Sequence, residues 1–285
     1  MSRLFRLCID SVIIVLLGAV AAGALVRLSP GSDADLREAD PRFSPDSVAV
    51  LKLERDRQRQ LTGRSLAYFQ AWLRGDFGVS ETTGVPVRSL LAERLPVTLR
   101  TVGAGATGGF LAGTLAAAAL TLSVRRTVRQ TTAGAFAAVL SIPSGVLALF
   151  AVFARAPVEV AVGIAVAPRI FFFADRILGP RSSAGWALVA HSSGIHPVRV
   201  LVRYLLPSAA SELASLAGLA IISALAVSIP AEVLSGNPGI GQLAWQSATE
   251  RDVPVVIAVT VLMVVFSRAV TALSAITSRE AARAA

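Results

Sequence analysis

The chain lacks most of the residues from which metal and redox sites are built. It holds one cysteine, Cys8, and two histidines, His191 and His196, in 285 residues. A single cysteine excludes a disulfide within the chain and a metal site made from several cysteines. Lys52 is the only lysine and follows a leucine, whereas a phosphate-binding loop needs a lysine after a glycine. Energy from ATP must therefore come from another subunit, and no cofactor or metal is expected.

The remaining polar residues form no catalytic arrangement. His191, Ser192 and Ser193 are adjacent in the sequence, and adjacent residues on a helix do not face one another. Intramembrane aspartyl chemistry needs two facing aspartates at membrane depth, whereas Asp10 and Asp175 are expected at the interface. The chain itself is therefore not expected to be an enzyme.

Charge is also scarce, while apolar residues are abundant. Only 16% of the residues are charged, against about a quarter in soluble domains. Hydrophobic residues make up 54% of the chain and the mean hydropathy is +0.67. The net charge of +9 comes from arginines in short segments beside apolar runs, a placement typical of membrane topology. These features predict an integral membrane protein and no nucleic-acid partner.

Long apolar runs predict an all-α protein with six transmembrane helices. Residues 8–28 match the roughly 20 residues that a hydrocarbon core requires. A cleaved signal peptide is the alternative for this run, although its apolar core would span only about 7–15 residues. The further runs are residues 97–123, 131–154, 157–178, 208–233 and 253–276. The predicted division is an N-terminal helix at 1–28, an extracytoplasmic amphipathic segment at 29–96, a core at 97–277 and a tail at 278–285.

The distribution of arginine predicts that both termini are cytoplasmic. Cytoplasmic loops accumulate arginine and lysine, and short loops follow this rule best. The inside segments are then 1–7, 124–130, 176–207 and the C-terminal tail, and twelve of the eighteen acidic residues fall in the outside segments. The chain is therefore expected to be a multi-pass protein of the cytoplasmic membrane.

The longest inside connection carries a basic, helix-patterned stretch. Arg199 and Arg203 stand four residues apart, opposite a face of apolar residues at helical spacing. That apolar face consists of Val198, Leu201, Val202 and Leu205. Such an amphipathic helix either rests on anionic lipid or docks on a cytoplasmic partner.

Four stretches carry a resemblance to a transporter family. Gly194, the basic helical residues and Leu206-Pro207 resemble the EAA loop of permease subunits in bacterial ABC importers. Three further stretches resemble the oligopeptide/dipeptide/nickel branch: "YFQAWLRGDFGVS" with "PVRSLLAERLPVTL", "SIPSGVLALF", and "IPAEVLSGNPGIGQLAWQSATERDVPVV". They span most of the chain from 68 to 277 in the family's order. The loop departs from the family pattern because "LVAHSSG" lacks an acid, and the outer loop "RAPVE" is short.

The resemblance implies a type I importer permease that works by alternating access. Its implied partners are a second permease subunit, two cytoplasmic ATP-binding subunits, an extracytoplasmic solute-binding protein and membrane lipid. A coupling helix within residues 181–207 would sit in a groove of the ATPase. The coupling residues would be Ala190, Gly194, Arg199, Arg203, Leu206 and Pro207. The implied solute is a peptide, with nickel or another small solute as the alternative, and a non-transporting scaffold or sensor is the alternative of another class.

A second set of residues is assigned to the translocation pathway or outer gate. Arg169 is the deepest charge, and a buried charge costs about 2.5–3.5 kcal/mol on insertion scales. It either faces the translocation cavity or forms an ion pair between helices, with Asp175 six residues on. Glu232 either belongs to the gate or caps backbone amides of the turn that follows. Pro143 is expected to kink the third span, and the bend could belong to the pathway. The whole set is Pro143, Ser144, Arg169, Glu232, Pro238, Gly239 and Gly241.

Three glycines in the second predicted span have four-residue spacing. Gly105, Gly109 and Gly113 form a small-residue face that would let another helix pack closely. Glycines that are merely tolerated in a membrane helix are the alternative.

Overall fold

The computed structural model describes Ile14, Gly18 and residues 76–122 and 126–284. In these residues the backbone is almost entirely helical, which confirms the all-α expectation, and one β-bridge joins Val79 to Pro86. The chain forms two compact units, one from residues 1–92 and 246–264, the other from 93–245 and 265–285. Most of the first predicted span and residues 29–75 lie outside the described residues, although Ile14 and Gly18 are themselves helical.

The described helices follow one another with short connections. In chain order they are α1 (Val87–Leu122), α2 (Arg126–Ser141), α3 (Ser144–Phe153), α4 (Val158–Ser182), α5 (Gly185–Ser192), α6 (Pro197–Val200), a π-helical turn (Leu201–Leu205), α7 (Leu206–Ser208), α8 (Ala210–Ser235), α9 (Ile240–Glu250) and α10 (Val253–Ala284).

Apolar helices of membrane-spanning length occur where the sequence predicts them. Among the described residues, α1, α8 and α10 are long and apolar enough to cross a membrane, and they match the second, fifth and sixth predicted spans. The bent pair α2–α3 brings the number to four. The fourth predicted span coincides with α4, which is not among these apolar helices and carries charged residues along its length, Glu159, Arg169, Asp175, Arg176 and Arg181.

The third predicted span, residues 131–154, is not one continuous helix. It consists of α2 and α3, which are bent by 94° at the break between them. Pro143 has no backbone N–H and disfavours helical backbone in the residue before it. It takes φ −55° and ψ 137° and precedes α3, so that Ser144 is the first residue of that helix. The kink expected at Pro143 is thus a near right angle.

The three spaced glycines of α1 form a packing face against α4. A Cβ atom at Gly109 would lie 2.8 Å from the Cβ of Val166, and one at Gly113 would lie 2.6 Å from the carbonyl oxygen of Ala167. A Cβ at Gly105 would likewise overlap a valine of α4. Only glycine permits this approach, which confirms the close-packing prediction.

An aromatic contact and an ion pair join α2 to α4. The rings of Phe136 and Phe171 stack with centroids 4.3 Å apart and an angle of 10° between their planes. Toward the start of α2, Arg129 Nη2 lies 3.1 Å from one carboxylate oxygen of Asp175 and 3.2 Å from the other. Asp175 therefore has a cationic partner on another helix.

A buried aspartate organises the first unit. Asp252 precedes α10 and is 3% exposed. Its carboxylate accepts hydrogen bonds from the hydroxyl of Ser80 and, at 3.4 Å, from the backbone N–H of Val255. The turn that leads into α1 is thereby tied to the start of α10.

Candidate functional site

The segment between α4 and α8, residues 183–209, is called here the connecting segment. Its first helix, α5, ends at the predicted residues Ala190 and Gly194. Gly194 adopts φ +74°, and the N–H of the next residue, Ile195, bonds the carbonyl of Ala190 at 3.1 Å. A left-handed glycine with this six-to-one bond is the Schellman ending of a helix. These two residues therefore turn the chain sharply between α5 and α6.

The second half of the segment is a short helix with one widened turn. His196 caps α6, and Pro197 occupies its first turn. The N–H of Leu206 bonds the carbonyl of Leu201, five residues earlier, which makes the turn π-helical. Pro207 follows at once and supplies no N–H for the carbonyl four residues before it. The helix predicted after Gly194 is therefore present, but it is not a regular α-helix.

The widened turn changes which apolar residues are buried. Val200 and Leu205, five residues apart, are 3% and 2% exposed. Val198 and Val202, which were expected on one apolar face with Leu205, are 47% and 58% exposed. A regular period of 3.6 residues does not place Val200 beside Leu205, whereas the π turn brings residues five apart onto one face.

Arg199 and Arg203 lie on the exposed side of this helix. Neither side chain forms a hydrogen bond or ion pair with the residues that the structure describes, and Tyr204 beside them is 46% exposed. Leu206 is half-buried and Pro207 exposed. The exposed side thus combines two free cations with apolar surface.

An ion pair joins the two ends of the connecting segment. Arg181, at the end of α4, donates from Nη2 to Oε1 of Glu212 on α8 at 2.5 Å. Its Nη1 also donates to the carbonyl of Ile177 at 2.8 Å. The sequence pattern did not single out Glu212, because a pair 31 residues apart leaves no local signal.

The second group of predicted residues surrounds the turn between α8 and α9. This Glu232 turn, residues 232–242, begins with a carboxylate that is fully buried. Oε2 of Glu232 accepts the backbone N–H of Gly241 at 2.7 Å, near the start of α9. A Cβ atom at Gly239 would overlap this carboxylate, and one at Gly241 would lie 2.9 Å from Oε2. Glu232 therefore caps backbone amides, and the two glycines make room for it.

One face of α1 holds the same turn from the other side. The hydroxyl oxygen of Thr98 accepts the N–H of Ile240 at 2.7 Å. One turn earlier, Arg94 Nη1 donates to the side-chain oxygen of Gln242 at 3.2 Å. These contacts were not predicted, since the helical spacing of Arg94 and Thr98 indicates a shared face but not its partner.

The other pathway residues occupy separate places. Pro143 and Ser144 lie at the bend between α2 and α3. Pro238 is exposed on the Glu232 turn. Arg169 lies near the middle of α4 and donates from Nη1 to the hydroxyl of Ser223 on α8 at 3.2 Å. The candidate residues thus form two local groups, the connecting segment and the Glu232 turn, with Arg169 and the bend apart from both.

The polar residues do not form a metal centre. Within the part of the chain that the structure describes, no three histidine, cysteine, aspartate or glutamate side chains lie close enough to hold an ion. The hydrogen bonds found at both groups instead close helix ends and turns.

These helices define a multi-pass membrane protein, and comparison with known proteins places it more narrowly. A family model described as binding-protein-dependent transport system inner membrane component matches residues 109–282, more than half of the chain. The chain belongs to this family, the permease subunits of ABC importers. No curated protein sequence matches it.

Two solved structures of one transporter have a similar fold. Two crystal forms of the MetNI methionine ABC transporter in inward-facing conformations, a selenomethionine soak and a native form, align with TM-scores of 0.61 and 0.60. They are 20% and 21% identical, and each alignment covers 67% of this chain and 96% of the other. At this identity the likeness shows the fold, which is that of a type I importer permease.

Family membership fixes the general role of the chain. It is a multi-pass inner-membrane subunit of a transporter, and its family implies ATPase and permease partners.

Proposed function

We propose that the chain is a permease subunit of an ATP-driven peptide importer of the oligopeptide branch. The stretches at residues 68–80, 86–99, 141–150 and 229–256 support this assignment, since they follow that branch's order. Both termini face the cytoplasm, and residues 29–96 lie on the extracytoplasmic side of the membrane, where a solute-binding protein delivers peptide. The core at 97–277 forms the cavity with the second permease, and 278–285 is a cytoplasmic tail.

The exposed side of the connecting segment carries this proposal. Arg199 and Arg203 are free cations beside exposed Val198, Val202 and Tyr204, a mixture suited to a protein groove. Ala190 and Gly194 turn this helix away from α5, while Leu206 and Pro207 lead it back toward α8. The segment therefore presents a coupling helix to the ATPase, and closure of two ATP-binding subunits moves it.

The Glu232 turn and the α2–α3 bend complete the proposed machinery. Pro143 and Ser144 let the third span change direction beside the cavity. Glu232, Pro238, Gly239 and Gly241 form a rigid outer turn that closes the pathway when the cavity faces inward. Irregular backbone at membrane depth is tolerated where it is buried in protein or lines a cavity.

The test is assembly of the complex from the chain and its encoded neighbours. We expect Arg199→Glu/Arg203→Glu to lower ATPase association or peptide-stimulated ATP hydrolysis at least about tenfold. The reason is that the contact of each arginine with the ATPase becomes repulsive when its charge is reversed. Arg88→Glu, an exposed arginine at the start of α1, is the matched control and should leave both unchanged.

Two results would contradict the proposal. Unchanged association and stimulation in the double variant would mean that the arginines rest on lipid and the docking surface lies elsewhere. A wild-type chain that purifies without any ATPase or second permease would indicate a scaffold or sensor.

A further inference from the structure

Arg169 is a mid-helix cation without an acidic partner. It is the twelfth residue of the 25 in α4, and its side chain is exposed on the surface of the chain. The carboxylate nearest in the same helix, Asp175, pairs with Arg129 instead. Among the described residues the only hydrogen bond of Arg169 is the one to Ser223. The ion-pair alternative for Arg169 therefore finds no partner in the part of the chain that the structure describes.

A guanidinium without an acidic partner in the middle of a membrane helix requires polar groups or water around it. Guanidinium carries five N–H donors and stays protonated, and Ser223 accepts from one of them. Charged residues within spans almost always face a bundle interior or a water-filled cavity. The position of Arg169 thus indicates that this face of α4 meets water or an anion, not lipid tails.

The neighbours of Arg169 show which face of α4 it occupies. Ala165 and Phe173, four residues before and after it, lie on the same face, and Phe173 is 45% exposed. Ala167 and Phe171, two residues to either side, lie on the opposite face and are 7% and 0% exposed. Arg169 therefore lies on a face of α4 that the described residues leave partly uncovered.

We infer that Arg169, held by Ser223, is an anion-binding site in the translocation cavity that receives the carboxylate of the transported solute. This rests on the proposed function and narrows its substrate class to solutes with an anionic group, such as the C-terminus of a peptide. A free guanidinium attracts a carboxylate through paired hydrogen bonds and repels a bare divalent cation. The site therefore favours a peptide over free nickel ion.

The test measures access and electrostatic potential beside Arg169 directly. Cys8→Ala removes the native cysteine, and Ala165→Cys places a thiol about one turn before Arg169, on the same face of α4. The assembled complex in membrane vesicles is treated with two membrane-impermeant methanethiosulfonates, one anionic (sulfonatoethyl) and one cationic (trimethylammonioethyl). The quantity of interest is the ratio of their reaction rates, which reports the local sign of charge.

We expect the thiol introduced by Ala165→Cys to react, with a rate ratio that favours the anionic reagent. Arg169→Gln should lower this ratio about tenfold, since a unit charge at this range acts on the two reagents with opposite sign. Arg169→Lys should keep it within about twofold, which a merely structural role of the arginine would not predict. Arg176→Gln, an exposed arginine two turns further along α4, is the matched control and should have little effect.

Two outcomes would overturn the inference. A thiol at position 165 as inert as the one that Ile170→Cys places at a fully buried position would show that lipid or the partner permease covers this face. A reactive thiol whose rate ratio ignores Arg169→Gln would show that the arginine does not set the potential there. Neither readout requires ATP hydrolysis or the arginines of the connecting segment, so each result is distinguishable from failure of the proposed function.

Discussion

Glu232 and Thr98 show how single side chains fix irregular backbone in an apolar environment. One accepts the N–H of Gly241 and the other that of Ile240, so two consecutive amides at the start of α9 are satisfied from different helices. The first amides of a helix have no partner within it. Where water is excluded, leaving one unpaired is costly.

At this scale we expect Thr98→Val to lower the free energy of unfolding by about 1–3 kcal/mol, because it leaves the buried N–H of Ile240 without an acceptor. Valine keeps the shape of threonine, so packing in α1 changes little. The measurement is denaturant unfolding of the chain in detergent micelles.

Thr114→Val in the same helix is the matched control. The hydroxyl of Thr114 is buried without a hydrogen-bond partner among the described residues, so its removal should be neutral or stabilising. Equal losses in the two variants would contradict the assigned role of Thr98.

Sequence alone predicts the cap but not its partners. The glycines of "SGNPGIG" and the nearby Glu232 predict a turn and a capping carboxylate, and both are present. Arg94 and Thr98 lie far away in the sequence, so their contacts depend on how α1 packs. Local spacing carries no such information.

Among the elements, the connecting segment depends on the ion pair that joins its ends. Arg181 and Glu212 are 29% and 45% exposed, so their pair should contribute less than about 1 kcal/mol to stability. Its effect should instead appear in the coupling of ATP hydrolysis to the peptide. The pair holds the ends of α4 and α8 together while the ATPase moves the segment between them.

We therefore expect Arg181→Gln and Glu212→Gln each to reduce peptide-stimulated ATP hydrolysis several-fold with little change in basal hydrolysis. The double charge swap Arg181→Glu/Glu212→Arg should restore much of the stimulation. Both rates are measured on the reconstituted complex. A swap as defective as the single variants would show that each residue acts through some other contact.

The elements themselves were predicted unevenly, for physical reasons. Apolar length locates α1, α8 and α10, since membrane thickness sets that length. The bend at Pro143 was predicted in place but not in angle, because the angle depends on what packs on each arm. The π turn before Pro207 was not predicted. One extra residue in a single turn does not change the pattern of apolar residues enough to be recognised in the sequence.

At the scale of the whole molecule, the prediction to test is which side of the membrane each connection between helices occupies. The arginine distribution predicts that the residues around Arg129 lie in the cytoplasm and that Ala156, after α3, lies outside. Alkaline phosphatase fused after Ala156 should be active and fused after Arg129 inactive, while a fluorescent protein at the C-terminus should be fluorescent. Cells that carry each fusion report these activities directly.

A re-entrant α2–α3 pair would give a different pattern. It would return the chain to the side from which α2 starts, so fusions after Arg129 and Ala156 would behave alike. That result would contradict the six-span arrangement while leaving family membership untouched.

The bend between α2 and α3 also links the protein to the thickness of its bilayer. The 16 residues of α2 rise about 24 Å, less than the roughly 30 Å of a hydrocarbon core. At 94° to it, α3 adds little height and directs Phe150 and Phe153, 64% and 78% exposed, away from the chain. A short hydrophobic element is accommodated by local thinning of the bilayer or by association with a neighbour. We therefore expect the acyl-chain length of the host lipid to affect the conformation of the α2–α3 pair.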